Sequence, residues 1–252
     1  LGALGRGGRH LIERWSPGDG VDRVLMVAAH PDDVDFGAAA TVAAFTDAGV
    51  SVSYCIVTNG EAGGDDRSMS RADMAAVRQA EQRAAAGEVG VTDLTFLGHP
   101  DGRVAATIGL RRDITRVIRR LRPQRVLAPS PERMWDRIFA SHPDHLAAGE
   151  AATCAVYPDA RNPFAHPELL EEGLEPWTVP ELWLMADPVA TIAVDVTGTF
   201  ERKMAALAQH RSQLEDVDWA RERLRSVARD LAAAADLPEG SLAEAFRKVV
   251  TA

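Results

Sequence analysis

His30-Pro31-Asp32-Asp33 puts one imidazole and two carboxylates within four residues, and His142-Pro143-Asp144-His145 adds two imidazoles and another carboxylate. An imidazole beside two carboxylates suits a hard-to-borderline divalent metal with one carboxylate left over as a base. Taken alone, Asp32 or Asp33 reads as a helix N-cap, and His142 as a cap or a surface residue. Two His/Asp clusters in one chain, each with a proline holding the turn, point instead to a mononuclear metal hydrolase.

The surrounding elements place both clusters at the same kind of edge. Val24-Ala29 is an apolar run that stops at a proline and two carboxylates, as a buried parallel strand does at its carboxyl end. Strand patterns at Val24-Ala29, Val50-Thr58, Leu94-Leu97 and Arg125-Ala128 alternate with helical patterns at Phe36-Ala48, Arg71-Val89 and Leu110-Leu121. This order predicts an α/β, Rossmann-like fold: a mostly parallel sheet with helices on both faces and the active site at the C-terminal ends of the strands. Residues 1–20 read as an N-terminal lead-in with a short helix at His10-Trp15, and residues 21–252 as a single domain. Beyond the second cluster, a helix at His145-Val156, a proline-rich segment Tyr157-Pro180 and two strands, Leu182-Met185 and Ile192-Val196, are expected. The C-terminal part, 197–252, is predicted helical, with helices at Phe200-Ser212, Asp218-Ala235 and Leu242-Val249. A long irregular segment such as Tyr157-Pro180 is expected to form a wall or lid of the site.

Composition excludes several classes. The net charge of −9, with only two lysines, Lys203 and Lys248, argues against nucleic acid, which demands a basic face. No apolar run reaches the length of about 18 residues that a membrane span needs. Cys55 and Cys154 lack metal or redox spacing, so they read as core thiols of a reduced, cytoplasmic protein. The chain opens at Leu1 rather than Met, so a trimmed N-terminal segment is expected.

The two clusters, with Gly37, Thr58-x-Gly60-Glu61, Arg78-x-x-Glu81, Gly87-x-x-Gly90-Val91, Asp101-Gly102 and Lys203-x-x-Ala206-Leu207-x-x-His210-x-Ser212-Gln213, resemble the LmbE/PIG-L family of zinc-dependent N-deacetylases. The matches run in the family's order from about Val24 to Gln213. The resemblance implies that His30, Asp33 and His145 are zinc ligands and Asp32 the general base. It makes His142 the stabiliser of the oxyanion or the acid for the leaving amine, with Asp144 orienting His142. For substrate it points to Arg78 and Asp101, with His210 closing the site. Other readings stand beside these: an ion pair of Arg78 with Glu81, a plain turn at Asp101-Gly102, and packing for His210. The segment Val34-Asp35-Phe36 departs from the family, many of whose members carry an acidic residue directly after the two aspartates. That departure puts an apolar group where a polar support for the metal site is otherwise found.

The spacing of the second cluster agrees with these roles. His142 and His145 are three apart at a helix start, with Pro143 where its missing N–H does no harm. The expected reaction is removal of an N-acetyl group from an N-acetylglucosamine-containing small molecule, using Zn2+, although Fe2+, Co2+ or Mn2+ also suit such a donor set. An amidase acting on a larger amide or thiol conjugate is the alternative, followed by a non-catalytic sugar- or nucleotide-binding module. No G-x-G-x-x-G follows the first strand to support a nucleotide module. A homo-oligomer is left open. Trp135, Phe139, Phe164 and Trp177 are candidates for the pocket mouth.

Overall fold

A computed structural model of the protein describes residues 12–64 and 66–252. An eight-stranded sheet forms its centre, built from β1 (Glu13–Arg14), β2 (Arg23–Ala28), β3 (Ser51–Thr58), β4 (Asp93–His99), β5 (Arg125–Pro129), β6 (Glu181–Met185), β7 (Ile192–Asp195) and β8 (Ala243–Val250). The strand order is β1-β7-β8-β6-β5-β2-β3-β4, and only the pairings of β8 are antiparallel. Alternation along β2 divides the core in two. Val24, Met26 and Ala28 pack into one apolar layer, and Leu25, Val27 and Ala29 into the other. Both faces of the strand are therefore covered, which explains its unbroken apolar run.

The helices that matter for the site are α1 (Asp33–Gly37), α2 (Ala39–Asp47), α3 (Arg71–Glu88), α4 (Ile108–Leu121) and α5 (Pro143–Cys154). Three more follow: α6 (Glu168–Glu171), α7 (Phe200–Leu207) and α8 (Val217–Ala234). Ser70 and Thr107 cap α3 and α4 with side chains that accept N–H bonds from Asp73 and Leu110. From β2 the chain winds outward through β3 and β4, then returns to the other side of β2 as β5. The loops after β2 and β5 thus leave the sheet side by side at the point where its winding reverses, the usual ligand position in such sheets. These loops carry the two His/Asp clusters. At the base of the second, α5 approaches β5 so closely that a Cβ on Gly149 would lie 2.3 Å from the Pro129 carbonyl oxygen.

The structure corrects three expectations. Leu242-Val249, predicted helical, is for the most part β8, which fills the gap between β6 and β7 and pairs with both. Two sheet edges requiring hydrogen bonds outweigh the helix preference of Ala243, Glu244 and Ala245. Of the expected helix His10-Trp15, residues 10 and 11 lie outside the described residues, while Glu13 and Arg14 pair with Ile192 and Ala193 as an edge strand. Tyr157-Pro180 is no lid. Arg119 on α4 is 2% exposed and donates to the carbonyls of Asp159, Ala160, Asn162, Leu174 and Ala165, clamping the segment to the side of the domain. The Trp177 indole donates to the Pro123 carbonyl, just before β5 begins and so at the opposite end of the sheet from the clusters. No helix among the described residues is long and apolar enough to cross a membrane.

Candidate active site

The two clusters meet above β2 and β5, bringing His30 to His145 across 115 positions. His30 Nδ1 lies 3.3 Å from His145 Nε2, and His145 Nε2 lies 2.9 Å from Asp33 Oδ1. Asp33 Oδ2, 3.5 Å from His30 Nδ1, accepts the backbone N–H groups of Ala29 and His30, which locks the carboxylate into the turn. Tetrahedral zinc with bonds of about 2.0–2.1 Å holds its donors about 3.3 Å apart. His30 and His145 hold their ring nitrogens at that spacing and Asp33 brings one oxygen to each, so the donor chemistry suits such an ion. His142 completes the ring of imidazoles, its centroid 5.1 Å from that of His30 and 5.4 Å from that of His145.

The other face of His30 shows how the ring is oriented. Its Nε2 lies 3.1 Å from Asp101 Oδ1 and 3.2 Å from Asp144 Oδ2. Carboxylates there keep the proton on Nε2 and turn the Nδ1 lone pair toward His145 and Asp33, as partners of metal-bound histidines do. Electrostatics agree. Burial opposes a charge on His30, yet Asp101 and Asp33 outweigh it and push the imidazole up to about 11. Burial also works against ionised Asp33, but His145 and His30 overcome it and hold its pKa well below the carboxylate range. The two shifts have one cause: imidazoles and carboxylates of the cluster stabilise each other's charges against burial.

Asp32 stands apart from the donor triangle. Arg78 Nη2 donates to its Oδ2 at 3.1 Å and to the Pro31 carbonyl at 2.7 Å, while Nη1 donates to the Gly60 carbonyl at 3.0 Å. Burial, together with the charge of Asp33, pushes Asp32 up to about 7, with Arg78 pulling in the opposite direction. A base is most effective when its pKa lies near the working pH. The Thr58-x-Gly60-Glu61 motif acquires a physical reason here. Gly60 adopts φ +71°, and a Cβ on it would lie 2.8 Å from the Arg78 guanidinium.

His142 is both a cap and a site residue. Its Nδ1 accepts the Asp144 N–H at 3.2 Å as the N-cap of α5, so its proton sits on Nε2. Burial lowers its pKa, and the neighbouring His30 and His145 add to the effect. His142 is thus a neutral donor on the exposed side of the cluster.

Several expected roles move. The Asp144 carboxylate does not reach for His142; it faces His30 and accepts the N–H groups of Gly102 and Val104. Arg78 makes no pair with Glu81, which binds Ser212 through both its oxygens. With 5% of its side chain exposed, Arg78 lies beneath the site rather than at its mouth. Asp101, 6% exposed, faces His30 and accepts the Ala62 N–H. His210, expected at the substrate, is wholly buried with its Nε2 2.8 Å from Asp35 Oδ2. Asp35 itself answers the departure noted in the sequence. Val34 faces the core, and the acid one place later supplies the polar support.

Gln82 was missed. It accepts the Asp32 N–H and donates to Asp35. Its signal was in the sequence: Arg78 and Gln82 are four apart in an Ala-rich helix, on the same stripe as Met74, Ala85 and Ala86. Of the aromatic candidates, Trp135 and Phe139 are exposed on the segment leading into His142, whereas Phe164 is exposed on the Tyr157-Pro180 segment. A cleft of about 250 Å³ opens next to the site, walled in part by Glu61 and Ala62, both hydrogen-bonded to Asp101.

Fold and site together define a Rossmann-like protein with a His/Asp cluster able to hold a metal at the carboxyl edge of its sheet. Residues 25–156 match the family model described as PIG-L, GlcNAc-PI de-N-acetylase, and the chain belongs to this PIG-L (LmbE) family of amide-hydrolysing enzymes. The diacetylchitobiose deacetylase of Thermococcus kodakarensis is 31% identical over 207 residues, covering 81% of this chain and 74% of its own. A 1D-myo-inositol 2-acetamido-2-deoxy-alpha-D-glucopyranoside deacetylase of Rhodococcus erythropolis is 30% identical, covering 76% of this chain and 81% of its own. The structure of N,N'-diacetylchitobiose deacetylase from Pyrococcus horikoshii matches with a TM-score of 0.85 at 30% identity, over 93% of this chain and 86% of that one.

Proposed function

We propose that this protein removes the acetyl group from an N-acetylglucosamine-containing small molecule by hydrolysis, with zinc held by His30, Asp33 and His145. The observation that carries this reading is the convergence of His30, His145 and both oxygens of Asp33 at 2.9–3.5 Å, beside a largely enclosed carboxylate, Asp32, that Arg78 holds apart from them. The relatives named for deacetylation of diacetylchitobiose and of a glucosaminyl-inositol support the amino-sugar class.

When bound, zinc would polarise the amide carbonyl and lower the pKa of a water toward about 7. Asp32, poised near neutrality, takes a proton from the attacking water. His142 Nε2–H donates to the carbonyl oxygen as negative charge gathers there, and its low pKa keeps it a neutral donor. Asp32 then returns its proton to the amide nitrogen as the C–N bond breaks, leaving acetate and a free amine. Arg78 keeps Asp32 in place, and Asp101 and Asp144 keep His30 oriented.

The test is acetate release from a panel running from N-acetylglucosamine to diacetylchitobiose and acetylglucosaminyl-inositol, before and after chelation and zinc add-back. Metal-dependent acetate from a member of the panel supports the reading. Stoichiometric zinc with no acetate from any member overturns the substrate class.

A further inference from the structure

Gln82, Asp35 and His210 form a buried chain that ends on the backbone of Asp32. All three are wholly buried, and they come from α3, α1 and the turn after α7. His210 Nε2 lies 2.8 Å from Asp35 Oδ2, Gln82 Nε2 donates to the same oxygen at 2.8 Å, and Gln82 Oε1 accepts the Asp32 N–H at 2.7 Å. Charge sets the direction of this chain. A carboxylate only accepts, so Gln82 must turn its amino group to Asp35 and its carbonyl oxygen to Asp32. Asp35 and the Asp32 N–H together set the Gln82 amide, and without the acceptor-only carboxylate of Asp35 the amide loses one of these two restraints.

Asp32 needs this restraint. Its backbone sits at φ 100°, ψ −28°, a conformation that a non-glycine residue keeps only when its surroundings enforce it. Arg78 fixes the carboxylate and the preceding carbonyl, and Gln82 fixes the amide. As a device for stability the trio is poor. Asp35 Oδ1 and His210 Nδ1 have no hydrogen-bond partner among the described residues, and apolar side chains of similar volume often serve a core as well or better.

We propose that Gln82, Asp35 and His210 are positioning residues that hold the Asp32 peptide so that its carboxylate meets the attacking water. This rests on the deacetylase reading above. It is tested in the zinc-loaded full chain with two near-isosteric variants, Asp35→Asn and Gln82→Met, through zinc content, kcat and KM for acetate release, and crystal structures of both. The expected result is full zinc occupancy, KM within about twofold and kcat lower by about 100-fold, the scale on which a small misplacement acts. In the variant structures Asp32 leaves its positive φ. His210→Gln, which keeps a donor for Asp35, retains kcat near the wild-type value, whereas His210→Leu does not. An unchanged kcat in both Asp35→Asn and Gln82→Met overturns the proposal, as does Asp32 staying at its present φ in both structures. If Gln82→Met does not fold, Asp35→Asn decides alone. Should the wild type release no acetate, the deacetylase reading fails, while the Asp32 backbone in the variant structures still tests the chain.

Discussion

Arg78 grips Asp32 from beneath, its Nη2 3.1 Å from Asp32 Oδ2 and 2.7 Å from the Pro31 carbonyl. A residue of α3 that the sequence suggested for substrate is thus the fixed cation of the proposed base. Both side chains are mostly enclosed, at 5% and 15% exposure. Removing one partner of a buried pair leaves the other uncompensated, a loss of about 3–5 kcal/mol. Arg78→Met is therefore expected to lower stability by that order in urea unfolding and to depress kcat. Arg78→Lys should not restore either, because a single ammonium cannot serve Asp32, Pro31 and Gly60 together. Wild-type stability in Arg78→Met would show that the pair is not structural.

Asp32→Asn is expected to keep zinc and to lose about 10²–10⁴ in kcat, the usual contribution of a positioned base. Metal analysis beside steady-state kinetics checks this. Loss of metal with retained turnover would exchange the roles of Asp32 and Asp33.

His145→Ala removes the donor that closes the triangle from α5, so zinc occupancy should fall far below one ion per chain. Equilibrium dialysis followed by metal analysis measures it. Full occupancy would place the metal elsewhere.

Zinc affinity should rise with pH. In the metal-free protein His30 is pushed up to about 11, so at neutral pH it is protonated and the metal must displace that proton. Raising the pH lessens this competition and strengthens binding. Calorimetric titration in buffers of different ionisation heat should show net proton release near pH 7; no release would contradict the electrostatics of the cluster.

Gly149→Ala reverses a familiar sign. Alanine within a helix ordinarily gains about 0.5–1 kcal/mol over glycine. Here the new Cβ would lie 2.3 Å from the Pro129 carbonyl oxygen, a backbone atom that cannot swing aside. Overpacking of this kind costs about 1–3 kcal/mol, so a lower Tm is expected, with weaker zinc binding as α5 and His145 shift. A higher Tm would mean that α5 moves freely on β5.

What the sequence determined by itself was the residue types of the candidate site and their address. Residue types in His30-Pro31-Asp32-Asp33 and His142-Pro143-Asp144-His145 are local facts, and so are the strand period of Val24-Ala29 and the helical period of Leu110-Leu121. Those patterns suffice to place both clusters at the carboxyl edge of a parallel sheet, because strand, turn and helix preferences act over a few neighbouring residues. Partnership is different. Arg78 meets Asp32 across 46 positions, Asp144 meets His30 across 114 and His210 meets Asp35 across 175. Only the tertiary structure decided which carboxylate each cation or imidazole would face, since buried polar groups pair with whatever the packed helices bring within reach. The same holds for Ala243–Val250, a helix by composition and a strand because β6 and β7 both lacked a neighbour.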